Sequence, residues 1–275
     1  MYATFDLHKD NSQIYNNISV SPLFLFNFAP QFDLLMVEKN WKYWLYQPYK
    51  WLIVIPVFGI DTLLGVIFTC IFVHFSVRLG NCFAILWAKV MQFITPMHVD
   101  VTGRENVANG QSYVIAVNHQ SAYDIIAIYG SMGLDFKWVM KKELRNAPLL
   151  GYACYKLRHI FIDRSSRMAS YRSIENAKQI LTGGTSVVIF PEGTRSGSPN
   201  LGQFKHGAFK MATSLQLPIL PVTLKNTYRV MSGGLSTLMP HRVEMIIHKP
   251  INPLDFADRQ DELIAATRSA IADGL

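Results

Sequence analysis

Charge is scarce in this chain. Only 16% of its 275 residues are Asp, Glu, Lys or Arg, while half are hydrophobic; an ordinary soluble domain carries about 25% charged residues. The net charge is +7, yet no dense Lys/Arg run and no recognition motif accompanies it, which argues against a nucleic-acid binder. Cysteine is equally sparse. Cys70, Cys82 and Cys154 form an odd set without CxxC spacing, so a disulfide framework is not expected and a reducing compartment fits. No His/Cys/Asp group has metal-ligand spacing, so no metal site is expected. No Gly-x-Ser-x-Gly elbow is present to present a serine nucleophile. The opening residues, Met1 to Asp10, lack a basic region followed by an apolar one, and no cleavable signal is read there. There is no internal repeat and no low-complexity tract.

What the chain has instead is a concentrated apolar stretch. Residues 51 to 75 contain sixteen Ile, Leu, Val or Phe residues, and a bilayer span needs about 20 residues. Pro56 and Asp61 interrupt it. Inserting Asp costs roughly 2.5 to 3.5 kcal/mol, whereas sixteen such apolar residues return roughly 5 to 10 kcal/mol. The segment is therefore expected to enter a membrane, either spanning it or lying embedded. From 77 to 97 the pattern changes. Leu79, Phe83, Leu86, Val90, Phe93 and Met97 recur at three- and four-residue steps, with Arg78, Asn81, Lys89 and Gln92 between them. This predicts an amphipathic helix, lying on the membrane or covering a globular domain. Just before the apolar run, Trp41, Tyr43, Trp44, Tyr46, Tyr49 and Trp51 cluster with Lys42 and Lys50, as an interfacial belt or as a packed extension. The positive surplus lies wholly after residue 50, since residues 1 to 50 hold four Lys and four acidic residues. A basic body beside an apolar segment suits an anionic membrane surface or a polyphosphate ligand. The division expected is an N-terminal extension over 1–50, a membrane-associating helical hairpin or anchor over 51–97, and a globular domain over 98–275.

Beyond His98, strand and helix signals alternate. Short strands are predicted over 113–117, 136–140, 160–162, 185–190, 218–224 and 243–248. Helices are predicted over 122–132, 149–157, 166–181, 205–215 and 258–272. Such alternation predicts an α/β fold, a mixed and largely buried sheet flanked by helices.

Two clusters carry reactive groups. Asn118-His119 follows the first strand, and Asp124 comes five residues after His119. On one continuous helix the two would stand about 140° apart and could not meet. With His119 in the strand-to-helix turn and Asp124 in the first helical turn they can pair, and the carboxylate would then set the imidazole tautomer. The same residues, Ser121-Ala-Tyr-Asp124, also read as a capped helix start with an acidic third position. The second cluster is Pro191-Glu-Gly-Thr-Arg-Ser196, directly after an apolar strand. Gly193 permits a tight turn, and its neighbours Thr194, Arg195 and Ser196 could bind an anion. A turn closed by a Glu192–Arg195 surface pair fits the same residues. Asp163 and Arg164 end another short strand, and Lys141 and Lys142 follow a third.

Taken in order, His-x4-Asp, Phe161-Ile-Asp-Arg164, Phe190-Pro-Glu-Gly-Thr-Arg-Ser196 and Leu217-Pro-Ile-Leu-Pro-Val222 resemble the motifs of the glycerophospholipid acyltransferase family. The resemblance covers about residues 98 to 250. It implies that His119 is a general base and Asp124 its partner. It implies that Lys141, Arg164 and Arg195 hold an acceptor phosphate, that Glu192 assists, and that Gly193 and Thr194 belong to the same binding loop. The implied reaction moves an acyl group from acyl-CoA or acyl-carrier protein, as co-substrate and without a cofactor, to the sn-2 hydroxyl of lysophosphatidic acid. The missing serine elbow favours direct transfer over an acyl-enzyme. The implied setting is a phospholipid bilayer with the catalytic domain on the cytoplasmic face, at the inner membrane if the source is bacterial. One departure stands out: Arg158 and His159 occupy the place where the family usually has a glycine before the second motif's strand. They keep other acceptors in play, among them glycerol-3-phosphate, a lysophospholipid or an amino-lipid, and a non-catalytic lipid-binding protein is the alternative of a different class.

Overall fold

The computed structural model of the chain describes residues 41–163, 165–181, 183–257 and 259–275. The first of these already belong to a helix. α1 (Trp41–Tyr49) passes through a π-helical turn at Lys50–Val54 into α2 (Ile55–Phe72), making one apolar rod of 32 residues. Pro48 lies inside α1, and the wide turn that follows it is a usual response to a proline that cannot donate to the helical ladder. The helical segment expected from residue 51 thus begins no later than Trp41. Residues 41–50, assigned from sequence to an N-terminal extension, are part of it; the rest of that extension lies outside the described residues.

α3 (Val77–Ile94) folds back on α2 after a short connection. Phe72 stacks on Phe83 with ring centroids 4.7 Å apart, and the Trp87 indole N–H donates to Thr62 Oγ1 at 3.0 Å. These pairings run in opposite senses along the two helices, so α2 and α3 form an antiparallel hairpin. Gly80 makes its turn end possible, because a Cβ there would sit 2.8 Å from Val73 Cβ. Both helices are long and apolar enough to cross a membrane. Leu52, Ile60, Leu63, Ile71, Leu86 and Phe93 are exposed on them, an apolar surface that associates with a membrane rather than water. Lys50 follows the second of the two readings of its aromatic cluster, the packed extension. Instead of standing in an interfacial belt it is fully buried, donating from Nζ to the Ser236 carbonyl at 2.7 Å and pinning the helical rod to the globular body.

That body is built on a seven-stranded sheet in the order β1-β7-β6-β2-β5-β3-β4. The strands are β1 (His98–Thr102), β2 (Val114–Val117), β3 (Phe136–Lys141), β4 (Ile160–Ile162), β5 (Ser186–Ile189), β6 (Ile219–Lys225) and β7 (Arg242–Ile247). All neighbours are parallel except β6 and β7, so the sheet is mixed, as the α/β alternation predicts. The helices are α4 (Tyr123–Ser131), α5 (Leu150–Lys156), α6 (Arg167–Lys178), α7 (Gly207–Leu215), the short α8 (Thr227–Val230) and α9 (Gln260–Ala272). β1 was not foreseen, although Val99 and Val101 alternate with polar residues there; it needs β7, far along the chain, to become a strand.

The two-residue period of the strands sorts the core into two layers. Ile115 and Val117 of β2 face one cluster, with Ala88 and Met91 of α3 and Ile128 of α4. Val114 and Ala116 face the other, with Phe209 of α7 and Ile271 of α9. At the centre, the chain leaves β2 toward α4 and β3 on one side, and leaves β5 toward α7 and β6 on the other. Where neighbouring parallel strands send their chain in opposite directions, a crevice opens beyond their carboxyl ends. The loops after β2 and β5 fill that crevice, and both reactive clusters lie on them.

Candidate active site

Ala116 pairs with Ile189 across β2 and β5, so His119 and Glu192 are each three residues beyond a matched position. The two loops are stitched along their backbones. Ser196 N donates to the His119 carbonyl at 2.8 Å, and Gly197 N to that of Gln120 at 3.2 Å. Asn118 ties the base of the first loop to β6, giving Nδ2–H to the Leu224 carbonyl at 2.8 Å and accepting Leu224 N–H at 2.7 Å. A side chain that mimics a strand's hydrogen bonds in this way ends β2 without leaving buried backbone groups unpaired.

His119 Nδ1 lies 2.7 Å from Asp124 Oδ2. Asp124 is fully buried, and the same oxygen accepts the backbone N–H groups of Gln120 and Ser121 at 2.8 and 2.9 Å. Asp124 therefore caps the helix start and holds the histidine at once; the two sequence readings describe one structure. An oxygen that already accepts two backbone N–H groups faces Nδ1 as an acceptor, so Nδ1 carries the proton and Nε2 presents its lone pair. Nε2 has no hydrogen-bond partner among the described residues. Phe190 lies flat against the imidazole, with centroids 3.8 Å and planes 10° apart, and Trp138 extends the stack at 5.8 Å. The ring is thus fixed by a carboxylate at one edge and an aromatic face behind it.

Glu192 has a different setting from the surface pair that is one of its sequence readings. It is buried, and each oxygen is taken by backbone: His119 N donates to Oε1 and Gly202 N to Oε2, both at 2.7 Å. Burial pushes its carboxyl above the usual range, and these two N–H groups oppose that shift. Glu192 braces the histidine loop from below. Gly202 permits this closeness, since a Cβ there would lie 2.6 Å from Glu192 Oε2. Gly193 holds φ of 75° at the turn of the loop, a conformation that most residues resist.

Lys141, Gly193 and Arg195 line one cavity together with His119. Thr194 is exposed on the loop between them, outside the lining. Arg164 lies outside the described residues. The cavity holds about 440 Å³ and runs from the loop pair inward under apolar side chains of the hairpin and of α5, among them Val66, Trp87 and Leu150. Lys142 takes no part, pairing with Asp163 at 2.9 Å on the surface, and that contact with Ser165 holds the Asp163 carboxyl well below the usual range. Phe190, Asn118 and Gly202 were missed by sequence reading. Phe190 had a signal, since it ends a strand immediately before the Pro-Glu-Gly turn; Gly202 had none.

The unexpected pair before β4 has a definite structure. His159 N donates to the Cys154 carbonyl and Arg158 N to that of Tyr155, each at 3.0 Å. This is a Schellman ending of α5 with Arg158 in the position that glycine favours, at φ of 60°. His159 then turns inward. Its Nδ1 accepts the Trp138 backbone N–H at 3.3 Å, so Nε2 carries the proton and donates to Tyr129 Oη at 3.0 Å. Burial, with Lys137 nearby, pushes its pKa down to about 3, and the ring is neutral.

A sequence model of the family described as Acyltransferase matches residues 98–225. The chloroplastic 1-acyl-sn-glycerol-3-phosphate acyltransferase of Arabidopsis thaliana is 31% identical over 216 residues, 78% of this chain and 59% of that protein. The 1-acyl-sn-glycerol-3-phosphate acyltransferase of Limnanthes alba is 30% identical over 193 residues, 70% of this chain and 68% of that one. The chain thus spans about three fifths of the chloroplastic relative and about two thirds of the Limnanthes one. With the mixed sheet, the histidine–carboxylate pair at its crevice and these likenesses in hand, the chain belongs to the acyltransferase family. Within that family its similarity runs to proteins named for acylating 1-acyl-sn-glycerol-3-phosphate. The crystal structure of the 1-acyl-sn-glycerophosphate acyltransferase PlsC from Thermotoga maritima superposes with a TM-score of 0.67 at 27% identity, covering 81% of this chain and 93% of that one.

Proposed function

We propose that this protein transfers an acyl group from a thioester, acyl-CoA or acyl-carrier protein, to the sn-2 hydroxyl of lysophosphatidic acid, giving phosphatidic acid. The observation that carries the proposal is the His119–Asp124 pair at the mouth of an apolar cavity. Nε2 of His119 removes the proton of the acceptor hydroxyl as its oxygen attacks the thioester carbonyl. The new C–O bond forms, the C–S bond breaks as the tetrahedral intermediate collapses, and the imidazolium returns its proton to the departing thiolate. Asp124 stabilises the transient imidazolium and keeps the tautomer correct. Phe190 and the Glu192-braced backbone keep the ring from turning.

Lys141 and Arg195, with Arg164, are the proposed clamp for the acceptor phosphate, Arg195 being suited to bidentate contact. A charged anchor that orients the hydroxyl toward Nε2 can supply several kcal/mol of the barrier reduction. The apolar cavity suits an acyl chain, each buried methylene returning about 0.8 kcal/mol. The exposed apolar surface of α2 and α3 supports delivery of the acceptor from the bilayer, with the catalytic body on the face where soluble acyl thioesters occur. The neutral, internally bonded His159 supports phosphate recognition by the loop cations rather than by the altered motif. A panel of acceptors supplied with both donor types tests the reading. Acylation of lysophosphatidate well above that of phosphate-free acceptors is expected, and activity confined to phosphate-free acceptors refutes it.

A further inference from the structure

A second depression, of about 710 Å³, lies on the far side of Tyr129 from the catalytic cavity, between α3 and the ends of α4 and β3. Arg78, Lys89, Arg104, Lys137 and Arg158 all line it, and Asp135 is the single carboxylate among them. Asp135 is already engaged, accepting Thr185 Oγ1–H at 2.8 Å and standing 3.6 Å from Lys137 Nζ. Lys137 itself is only 5% exposed, so a cation is held in the floor of the depression with weak compensation. Arg104 gives its guanidinium to the Met132 and Ser131 carbonyls at 2.8 and 2.6 Å. The side chains of Arg78, Lys89 and Arg158 make no hydrogen bond or ion pair among the described residues. Five cations around one carboxylate repel one another unless an anion joins them.

Two further features point to what that anion belongs to. Arg158 occupies a left-handed backbone position that favours glycine, and from there its side chain reaches the depression. Glycine would end α5 there without strain, so the ending itself does not call for an arginine. The second feature is the layout of α3. Arg78, Asn81, Cys82, Ile85 and Lys89 form one face of that helix and line the depression. At about 100° per residue, the exposed stripe of Leu79, Leu86 and Phe93 lies roughly 80° around the helix from that face. With α3 lying in the interface plane and its apolar stripe among acyl chains, the basic face opens at the level of the head groups.

We infer that this depression is a second lipid site, which binds the phosphate of an anionic phospholipid of the surrounding bilayer, apart from the catalytic centre. The acyl chains of that lipid continue along the Leu79–Leu86–Phe93 stripe. Its phosphate bridges α3 to Arg158 and Lys137 of the body, bracing the helix that supplies Ala84 and Trp87 to the catalytic cavity. The inference rests on the reading that the hairpin lies in a membrane.

Cys82 supplies a readout independent of catalysis, because it is exposed and lines the depression, whereas Cys154 is buried. The full-length protein is bound to vesicles of phosphatidylcholine alone, or of equal parts phosphatidylcholine and phosphatidylglycerol, and the rate of N-ethylmaleimide addition to each cysteine is read by peptide mass spectrometry. Mixed vesicles should slow addition at Cys82 by roughly tenfold, the factor given by nine-tenths occupancy of the site. The slowing should vanish in Arg158→Gly/Lys89→Gln, in which glycine suits the backbone at 158. Inorganic phosphate added to protein on phosphatidylcholine vesicles should not reproduce it. Equal rates on the two vesicle types, or slowing that persists in the double variant, would overturn the inference. Equal protection by inorganic phosphate would overturn the lipid as its ligand. Failure to float with phosphatidylcholine vesicles would overturn the membrane reading itself, while flotation without protection of Cys82 would overturn the second site alone.

Discussion

His159 should make this protein sensitive to mild acid. Its pKa is about 3 in the folded chain, whereas an unfolded histidine titrates near 6.5. The folded state therefore keeps the ring neutral over a range in which the unfolded state takes up a proton. For a base depressed in this way, stability is complete above the unfolded pKa, is lost as pH falls below it, and levels off near the folded pKa. The slope approaches 1.4 kcal/mol per pH unit, so about 2 kcal/mol is lost by about pH 5. With a urea dependence of roughly 3 kcal/mol per molar, the unfolding midpoint falls by ~0.7 M. His159→Asn keeps an acceptor for the Trp138 N–H but removes the titrating ring, at a cost of about 1 kcal/mol for the lost Tyr129 bond. Urea titrations in detergent at about pH 7 and about pH 5, followed by tryptophan fluorescence, separate these effects. The parent protein's advantage of about 1 kcal/mol at about pH 7 should reverse to a deficit of about 1 kcal/mol at about pH 5, a change of about 2 kcal/mol. Glu192 and other groups titrate in both, so their contributions cancel. Midpoints that run parallel between the two pH values would refute the assignment of a buried neutral ring.

Three substitutions probe the rest of the architecture. Asp124→Asn should lower kcat on the order of 10³- to 10⁴-fold by releasing the imidazole tautomer, measured as product formation with lysophosphatidate; a loss below tenfold speaks against the pair. Gly202→Ala should displace Glu192, whose Oε2 would lie 2.6 Å from the new Cβ, and lower kcat by roughly ten- to a hundredfold through the histidine loop. KM for lysophosphatidate should be unchanged; a change confined to KM would place Glu192 on the substrate instead. Arg158→Gly relieves a left-handed conformation worth about 1 to 2 kcal/mol but adds about 0.5 to 1 kcal/mol of unfolded-chain entropy. A small rise in the urea midpoint is expected, and a fall would show that the arginine side chain stabilises the fold.

Much of the α/β body was legible because strands buried on both faces read as short apolar runs, such as Val114–Val117 and Ser186–Ile189. β1 was not, because its identity depends on pairing with β7 far along the chain. The His119–Asp124 contact could be posed from spacing alone, since a strand-to-helix turn is the one local geometry that brings them together. The role of Glu192 could not. Its partners are backbone N–H groups of residues 119 and 202, and no side-chain pattern signals a backbone donor. Lys50 stayed open for a similar reason: a lysine beside aromatics before an apolar run fits an interfacial belt or a packed extension, and only the fold brings the Ser236 carbonyl to it. Arg158 and His159 looked like a single departure. They have separate tasks, one ending α5 and reaching toward α3, the other sealing the edge of β3.

The most direct measurement is thiol release from acyl-CoA in the presence of lysophosphatidate by purified His119→Ala. Without Nε2 the cavity loses the imidazole that Asp124 holds. Release should fall on the order of 10⁴-fold or more while lysophosphatidate still binds. Near-normal release by the variant would contradict the account.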